Sequence, residues 1–177
     1  MGFLKKLFKA LDTLGKAGAK DRIKRKRISS YDLESPDLKR IIAESVAIID
    51  RTKTLKVALG RFNTIRNSYG RLLAIDPDKS SIEISIGKWV PLQTVTYLSE
   101  IMACTEKAKK EYACEFFTAK VNSELLKVEG LTDHKLKLAQ LKKALKAALA
   151  GKEHLPKDPY INNLVAEVES QISSITL

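Results

Sequence analysis

The chain has little cysteine, proline or glycine: 2, 5 and 8 residues, respectively, out of 177. Cys104 and Cys114 fall in one predicted helix, where ten residues of rise separate them by about 15 Å, too far for a disulfide. A disulfide-stabilised scaffold is therefore excluded, and we expect two reduced thiols. The scarcity of helix breakers, with abundant Ala, Leu, Lys, Glu and Ile, predicts an all-α protein.

Long apolar runs are also missing. No stretch of the sequence is long and apolar enough to span a bilayer. Lysines interrupt the apolar residues at the N-terminus every few positions, which argues against a secretory signal. We therefore expect a cytoplasmic protein that could meet a membrane only from its inner face.

Catalytic and metal-binding motifs are absent from the sequence, which has no phosphate loop, Gly-x-Ser-x-Gly, His-Glu-x-x-His or paired Cys-x-x-Cys. His134 and His154 are far apart in or beside a lysine-rich helix, so we predict surface histidines. Glu111 and Glu115 lie one helical turn apart, but the Glu-x-x-His pattern of bundle metal sites is missing. These absences predict a non-enzymatic protein without metal or cofactor.

The positive charge is concentrated in one segment. The first 27 residues hold ten Lys or Arg against Asp12 and Asp21, a net charge of +8 out of +11 for the chain. At 100° per residue, large apolar side chains share one face of a predicted helix: Phe3, Leu4, Leu7, Phe8, Leu11 and Leu14. Lysines lie on the opposite face: Lys5, Lys6 and Lys9. A second cationic cluster follows: Lys20, Arg22, Lys24, Arg25, Lys26 and Arg27. We name residues 1–28 the N-terminal arm.

Three kinds of partner fit this arm. A helix with Phe and Leu on one face and Lys on the other lies in the headgroup plane of an anionic membrane, and a homo-oligomer would gain by avidity. Alternatively, the first helix docks its apolar stripe on the bundle, which leaves a soluble protein–protein interaction module, such as a phage or bacterial accessory factor. Third, residues 20–27 could neutralise phosphates and bind nucleic acid without sequence preference.

The middle of the chain predicts long helices. Ser35 as N-cap, Pro36 and Asp37 form a start signal after a linker over residues 28–34. An apolar seam then advances in steps of three and four, as in a coiled coil. It predicts one helix over residues 36–75, with Thr52 and Gly60 as its candidate breaks.

A short β-like stretch follows. Ile82, Ile84 and Ile86 alternate with polar residues, which predicts a small hairpin or an extended loop over residues 80–91. Trp89 in this connector either anchors a partner or caps the end of the bundle.

The remaining sequence predicts helices over 91–128, over 132–150, where Thr132 caps the start and Gly151 ends the helix, and over 159–175. The two long helices should lie antiparallel as a hairpin over residues 36–128, partly covered by the two shorter ones. The predicted fold is an elongated antiparallel helical bundle over residues 35–177, preceded by the amphipathic arm.

The opening Met1-Gly2-Phe3-Leu4-Lys5-Lys6-Leu7-Phe8, followed by a long predicted hairpin, resembles the layout of phage-shock and ESCRT-type membrane-remodelling proteins. That resemblance implies an amphipathic membrane contact and polymerisation through the hairpins. The later helices of those families tend to be acidic, whereas residues 135–146 are basic here. A second stretch, residues 44–63, is similar to a helical segment of uncharacterised bacterial and prophage proteins.

Overall fold

The structure is a computed structural model that describes residues 29–76 and 81–176. In these residues it has five helices and one two-stranded sheet, in the following order: α1 (Ser30–Arg51), α2 (Leu55–Ile75), β1 (Ile82–Ile86), β2 (Val90–Val95), α3 (Leu98–Glu129), α4 (His134–His154) and α5 (Pro159–Thr176). The predicted all-α helical bundle is confirmed. The predicted amphipathic helix of the N-terminal arm lies outside the described residues.

Helix α1 begins earlier than the sequence predicted. Ser29 is its N-cap: the Ser29 Oγ accepts from the backbone N–H of Asp32, whose carboxylate accepts in return from the N–H of Ser29. This reciprocal capping box satisfies two backbone donors, and Tyr31 packs against the core. The prediction of Ser35 as N-cap is therefore wrong, as is the predicted linker over 28–34.

The predicted break at Thr52 is confirmed, but the single helix over 36–75 is wrong. Thr52 is the extended C-cap of α1, and its Oγ1 accepts from the N–H of Thr54 at 3.2 Å. After this break α2 folds back and packs antiparallel on α1, where Arg71 pairs with Glu34. The single helix predicted over residues 36–75 is thus a hairpin of two shorter helices. Of these two, α2 and not α1 packs on α3.

Of the two alternatives predicted over residues 80–91, the small hairpin is correct, although it extends to Val95. β1 and β2 pair antiparallel, with Ile82 opposite Val95 and Ile84 opposite Gln93. Because residues 90–95 form β2, α3 begins at Leu98 and not at the predicted residue 91. At the turn of the hairpin Gly87 has a φ of +52°, a conformation that glycine adopts without strain.

One core joins α1, α2, the hairpin and the first half of α3. At its centre Phe62, Trp89 and Tyr112 meet edge to face, with ring centroids 5.6–5.8 Å apart. Trp89 is only 4% exposed, so it is a core residue and its indole does not offer itself to a partner. On α3, Thr105, Ala108 and Tyr112 are buried, whereas Leu98, Met102 and Leu126 are exposed.

A second core joins the later half of α3 to α4 and α5 and includes Val121, Ala144 and Val168. On α5, Ile161, Leu164, Val165 and Val168 are buried, and Ile172 packs beside them.

The boundaries predicted for α4 need correction. Asp133, not Thr132, caps its start by accepting from the N–H groups of Lys135 and Leu136. Gly151 does not end the helix, which continues to His154. No helix in the described ranges has the length and apolarity needed to cross a membrane.

Candidate functional site

All the residues predicted to bind a membrane or an anion belong to the N-terminal arm, outside the described part of the chain. The structure neither brings them together nor separates them. Two surfaces of the described residues are candidates for binding: a groove beside α1 and the basic outer face of α4.

The groove, which we name the α1–β1 groove, has a volume of about 890 Å³ and lies between α1 and the hairpin. One wall is a single face of α1: Lys39, Ala43, Val46, Ala47 and Asp50. The opposite wall comes from the hairpin: Ile82, Glu83, Ser85, Gly87 and Leu92. Ile42, Tyr69 and Leu72 form the floor, and Tyr31, Asp76 and Ser81 complete the lining. It is a long depression that three separate elements build.

The groove combines apolar walls with an acidic margin. Ala43 and Ala47 are exposed, and Leu92 is 67% exposed, so apolar surface faces water along both sides. Among the lining residues, Asp50 and Glu83 present exposed carboxylates, and Lys39 presents an ammonium group. Such a surface suits an apolar ligand that carries positive charge at its edges.

A paired hydrogen bond fixes the floor of the groove. The Tyr69 hydroxyl donates to the carbonyl of Ser85 at 2.8 Å and accepts from its N–H at 2.9 Å. Tyr69, on α2, thereby makes hydrogen bonds with the β1 backbone of the kind that a neighbouring strand would make. Burial raises the pKa of Tyr69, which the hydrogen bond with the Ser85 backbone partly offsets. The hydroxyl therefore stays neutral and holds the groove in shape.

The second surface is the outer face of α4, a helix whose sequence contains six lysines and a single acidic residue, Glu153. Lys135, Lys142 and Lys146 are exposed, and their spacing of seven and four residues aligns them on one side of the helix. None of these three forms a salt bridge within the described residues, whereas on α3 Lys109 and Lys127 pair with glutamates. The uncompensated charge makes this face attractive to an anionic partner.

The cysteines and histidines of the described residues are not gathered into a metal site. No group of three or more His, Cys, Asp or Glu within them could hold a metal ion. Cys104 and Cys114 are half-buried free thiols, and burial raises the pKa of both, which lowers the share of reactive thiolate. The ring of His154 stacks on Phe117 with centroids 5.4 Å apart.

Comparison with protein families, curated proteins and solved structures finds no significant match to the chain. Function is therefore inferred from the residues of this chain alone.

Sequence reasoning missed the α1–β1 groove. Ala43, Val46 and Ala47 lie off the α1 seam that faces α2, so they form a second apolar strip on the same helix. That strip is the one signal in the sequence. A helix with two apolar strips can pack against two neighbours. The first strip of α1 packs on α2, whereas the second is only partly covered, by the β-hairpin.

Proposed function

We propose that this is a non-enzymatic helical binding protein that associates with an anionic membrane surface, at its cytoplasmic face, through the N-terminal arm. The observation that carries the proposal is the division of the arm into two faces. In the helix predicted for the arm, Leu7 and five other large apolar side chains share one face and lysines the opposite face, and the first 27 residues hold +8 of the net charge of +11.

The estimated free energies favour weak binding of a single chain to an anionic membrane. Each cation near an anionic leaflet contributes about 1 kcal/mol, and each large apolar side chain about 1.5–3 kcal/mol if it is fully buried. The conformational entropy of ordering the arm offsets much of this gain. We expect dissociation constants of about micromolar for one chain, and tighter binding if several chains bind together.

The basic face of α4 supports the same partner chemistry. Lys135, Lys142 and Lys146 form no salt bridge among the described residues, so the folded body adds attraction to the same anionic surface. Residues 28–133, by contrast, hold equal numbers of cationic and acidic side chains. The two cationic surfaces together give the protein its affinity for anions.

Vesicle flotation tests the proposal with a matched pair of variants. Leu7→Glu places a carboxylate on the apolar face of the arm, whereas Thr13→Glu places the same charge on the opposite face. We expect the wild type and Thr13→Glu to float with vesicles of mixed phosphatidylcholine and phosphatidylserine, Leu7→Glu to remain at the bottom, and no protein to float with phosphatidylcholine alone.

Two outcomes would overturn the membrane proposal. If Leu7→Glu lowers the melting temperature and leaves flotation unchanged, the apolar face belongs to the folded body, as in a soluble interaction module. If instead the protein shifts duplex DNA or RNA in a salt-sensitive manner, Leu7→Glu leaves that shift intact and neutralising residues 22–27 abolishes it, then the target is nucleic acid.

A further inference from the structure

We propose that the α1–β1 groove is the docking site for the arm's own amphipathic segment, residues 3–14, so that the arm exchanges between the groove and the anionic surface. The docking itself stands on the groove and the sequence of the arm. Only the exchange rests on the proposed membrane function. The result would be a protein that conceals its membrane contact until an anionic surface competes for it.

The dimensions of the two partners match. The α1 wall from Lys39 to Asp50 is about 17 Å long, and residues 3–14 as a helix have the same length. Ala43 and Ala47, one turn apart and both exposed, leave room for a second helix to approach the α1 backbone closely. Apolar side chains of that helix would then cover the exposed Leu92 on the other wall.

The charges of the two partners are complementary. The groove carries the exposed carboxylates of Asp50 and Glu83 beside the ammonium of Lys39. Residues 3–14 carry Lys5, Lys6 and Lys9 against the single carboxylate of Asp12. A helix laid into the groove by its apolar face would hold these lysines at the two rims, where they meet the carboxylates in water.

The arm is covalently linked to α1, which favours its own residues 3–14 over a separate molecule as the occupant of the groove. The arm enters α1 through Ser29, and Tyr31, two residues further on, already lines the groove. Residues 15–28 reach up to about 45 Å when extended, and α1 is about 33 Å long, so the segment can reach the whole groove. Such a tether supplies an effective concentration of about millimolar, so even weak docking would be populated.

Cross-linking within the full chain tests the docking. In a background with Cys104→Ser and Cys114→Ser, Leu7→Cys is combined with Ala47→Cys, which lies in the groove. The matched control combines Leu7→Cys with Glu44→Cys, which is exposed on the same helix but outside the groove. With a short bismaleimide, we expect the Ala47 pair to cross-link within one chain at least several-fold faster than the Glu44 pair.

Equal rates for the two pairs would overturn the docking. A product of dimeric mass only would assign the groove to the arm of a second copy and would equally refute the proposal. Circular dichroism and melting temperature establish that each variant is folded. Since both partner positions are exposed, we expect no loss of stability from the cysteines on α1.

A second measurement addresses the exchange. The double variant Ala43→Gln and Ala47→Gln fills the groove without changing charge, and Ala139→Gln, exposed on α4, is the control. At limiting lipid we expect the groove variant to float several-fold more than wild type. Unchanged flotation despite wild-type cross-linking would refute the exchange, whereas absence of flotation in every variant would refute the membrane proposal and leave the docking intact.

Discussion

Arg71 on α2 holds the carboxylate of Glu34 on α1 with two hydrogen bonds, from Nε and from one terminal nitrogen, each of 2.8 Å. Glu34 lies near the start of α1 and Arg71 near the end of α2, so the contact exists only because the two helices run antiparallel. The pair therefore shows, at the level of side chains, that the chain reverses direction after Thr52. A continuous helix would place these residues more than 50 Å apart.

Charge reversal tests this topology. Glu34→Arg brings two cations together, and we expect it to lower the melting temperature. Adding Arg71→Glu restores the pair in the opposite sense and should recover most of the loss. Both side chains are partly exposed, so each shift will be small, as for surface ion pairs. Differential scanning calorimetry of the two single variants and the double variant measures the coupling, and simple additivity would contradict the antiparallel hairpin.

The same pair predicts a pH dependence. The hydrogen bonds from Arg71 and its charge hold the pKa of Glu34 below its ordinary value. A carboxyl group with a lowered pKa in the folded state stabilises the fold above its unfolded-state pKa and loses that contribution as the pH falls through the folded value. We therefore expect Glu34→Gln to melt below wild type at pH 7 and the difference to shrink towards zero in acid. Thermal melts from pH 7 downwards measure it, and a constant difference would refute the pair.

The sequence predicted helix positions well and their packing less well, for a physical reason visible around Thr52. Ile49, Thr52, Leu55 and Leu59 continue the steps of three and four without interruption. A seam of this kind is compatible with one long helix or with two helices that fold back on each other. The periodicity reports which face is apolar, but the direction of the chain after the extended Thr52 depends on tertiary packing.

Predicting the groove was harder still, because residues from Tyr31 to Leu92 build it from three elements. A sequence pattern is local and does not reveal which faces remain uncovered after packing. The charge of α4 was visible in the sequence, whereas its lack of salt bridges became clear only from the arrangement of side chains. The N-terminal arm differs from the groove in this respect, because the two faces of its predicted helix follow from the sequence alone.

The hydrogen bonds of Tyr69 predict a specific loss of stability. Tyr69→Phe keeps the packed ring but leaves the N–H and C=O of Ser85 without their partner in a partly buried position. Each unsatisfied buried group costs about 1–3 kcal/mol, and Ser85 is only partly buried, so we expect the free energy of unfolding to fall by about 1–3 kcal/mol in total. Tyr112→Phe is the control, because its hydroxyl donates one longer bond of 3.3 Å to the Thr52 carbonyl. Urea titration followed by Trp89 fluorescence measures both, and equal losses would contradict a special role for Tyr69.

Gly151 predicts the sharpest difference between two chemically identical substitutions. A Cβ at this position would lie 3.1 Å from both Cβ and Cγ of Phe117 and 3.4 Å from Cγ2 of Ile161, whereas a Cβ at Gly60 would meet nothing within 4 Å. Both glycines lie inside helices, so leucine improves helix propensity equally at the two sites. The steric clash must then decide the outcome at Gly151, where α3, α4 and α5 converge.

We expect Gly60→Leu to retain or slightly raise the free energy of unfolding and Gly151→Leu to lower it by about 1–3 kcal/mol through overpacking. Paired urea titrations give the two values under identical conditions. If Gly151 merely ended α4, as the sequence alone indicated, its replacement would leave the packing of Phe117 untouched. A near-neutral Gly151→Leu would therefore contradict the close approach of the three helices, and a large loss would establish it as the reason for the glycine.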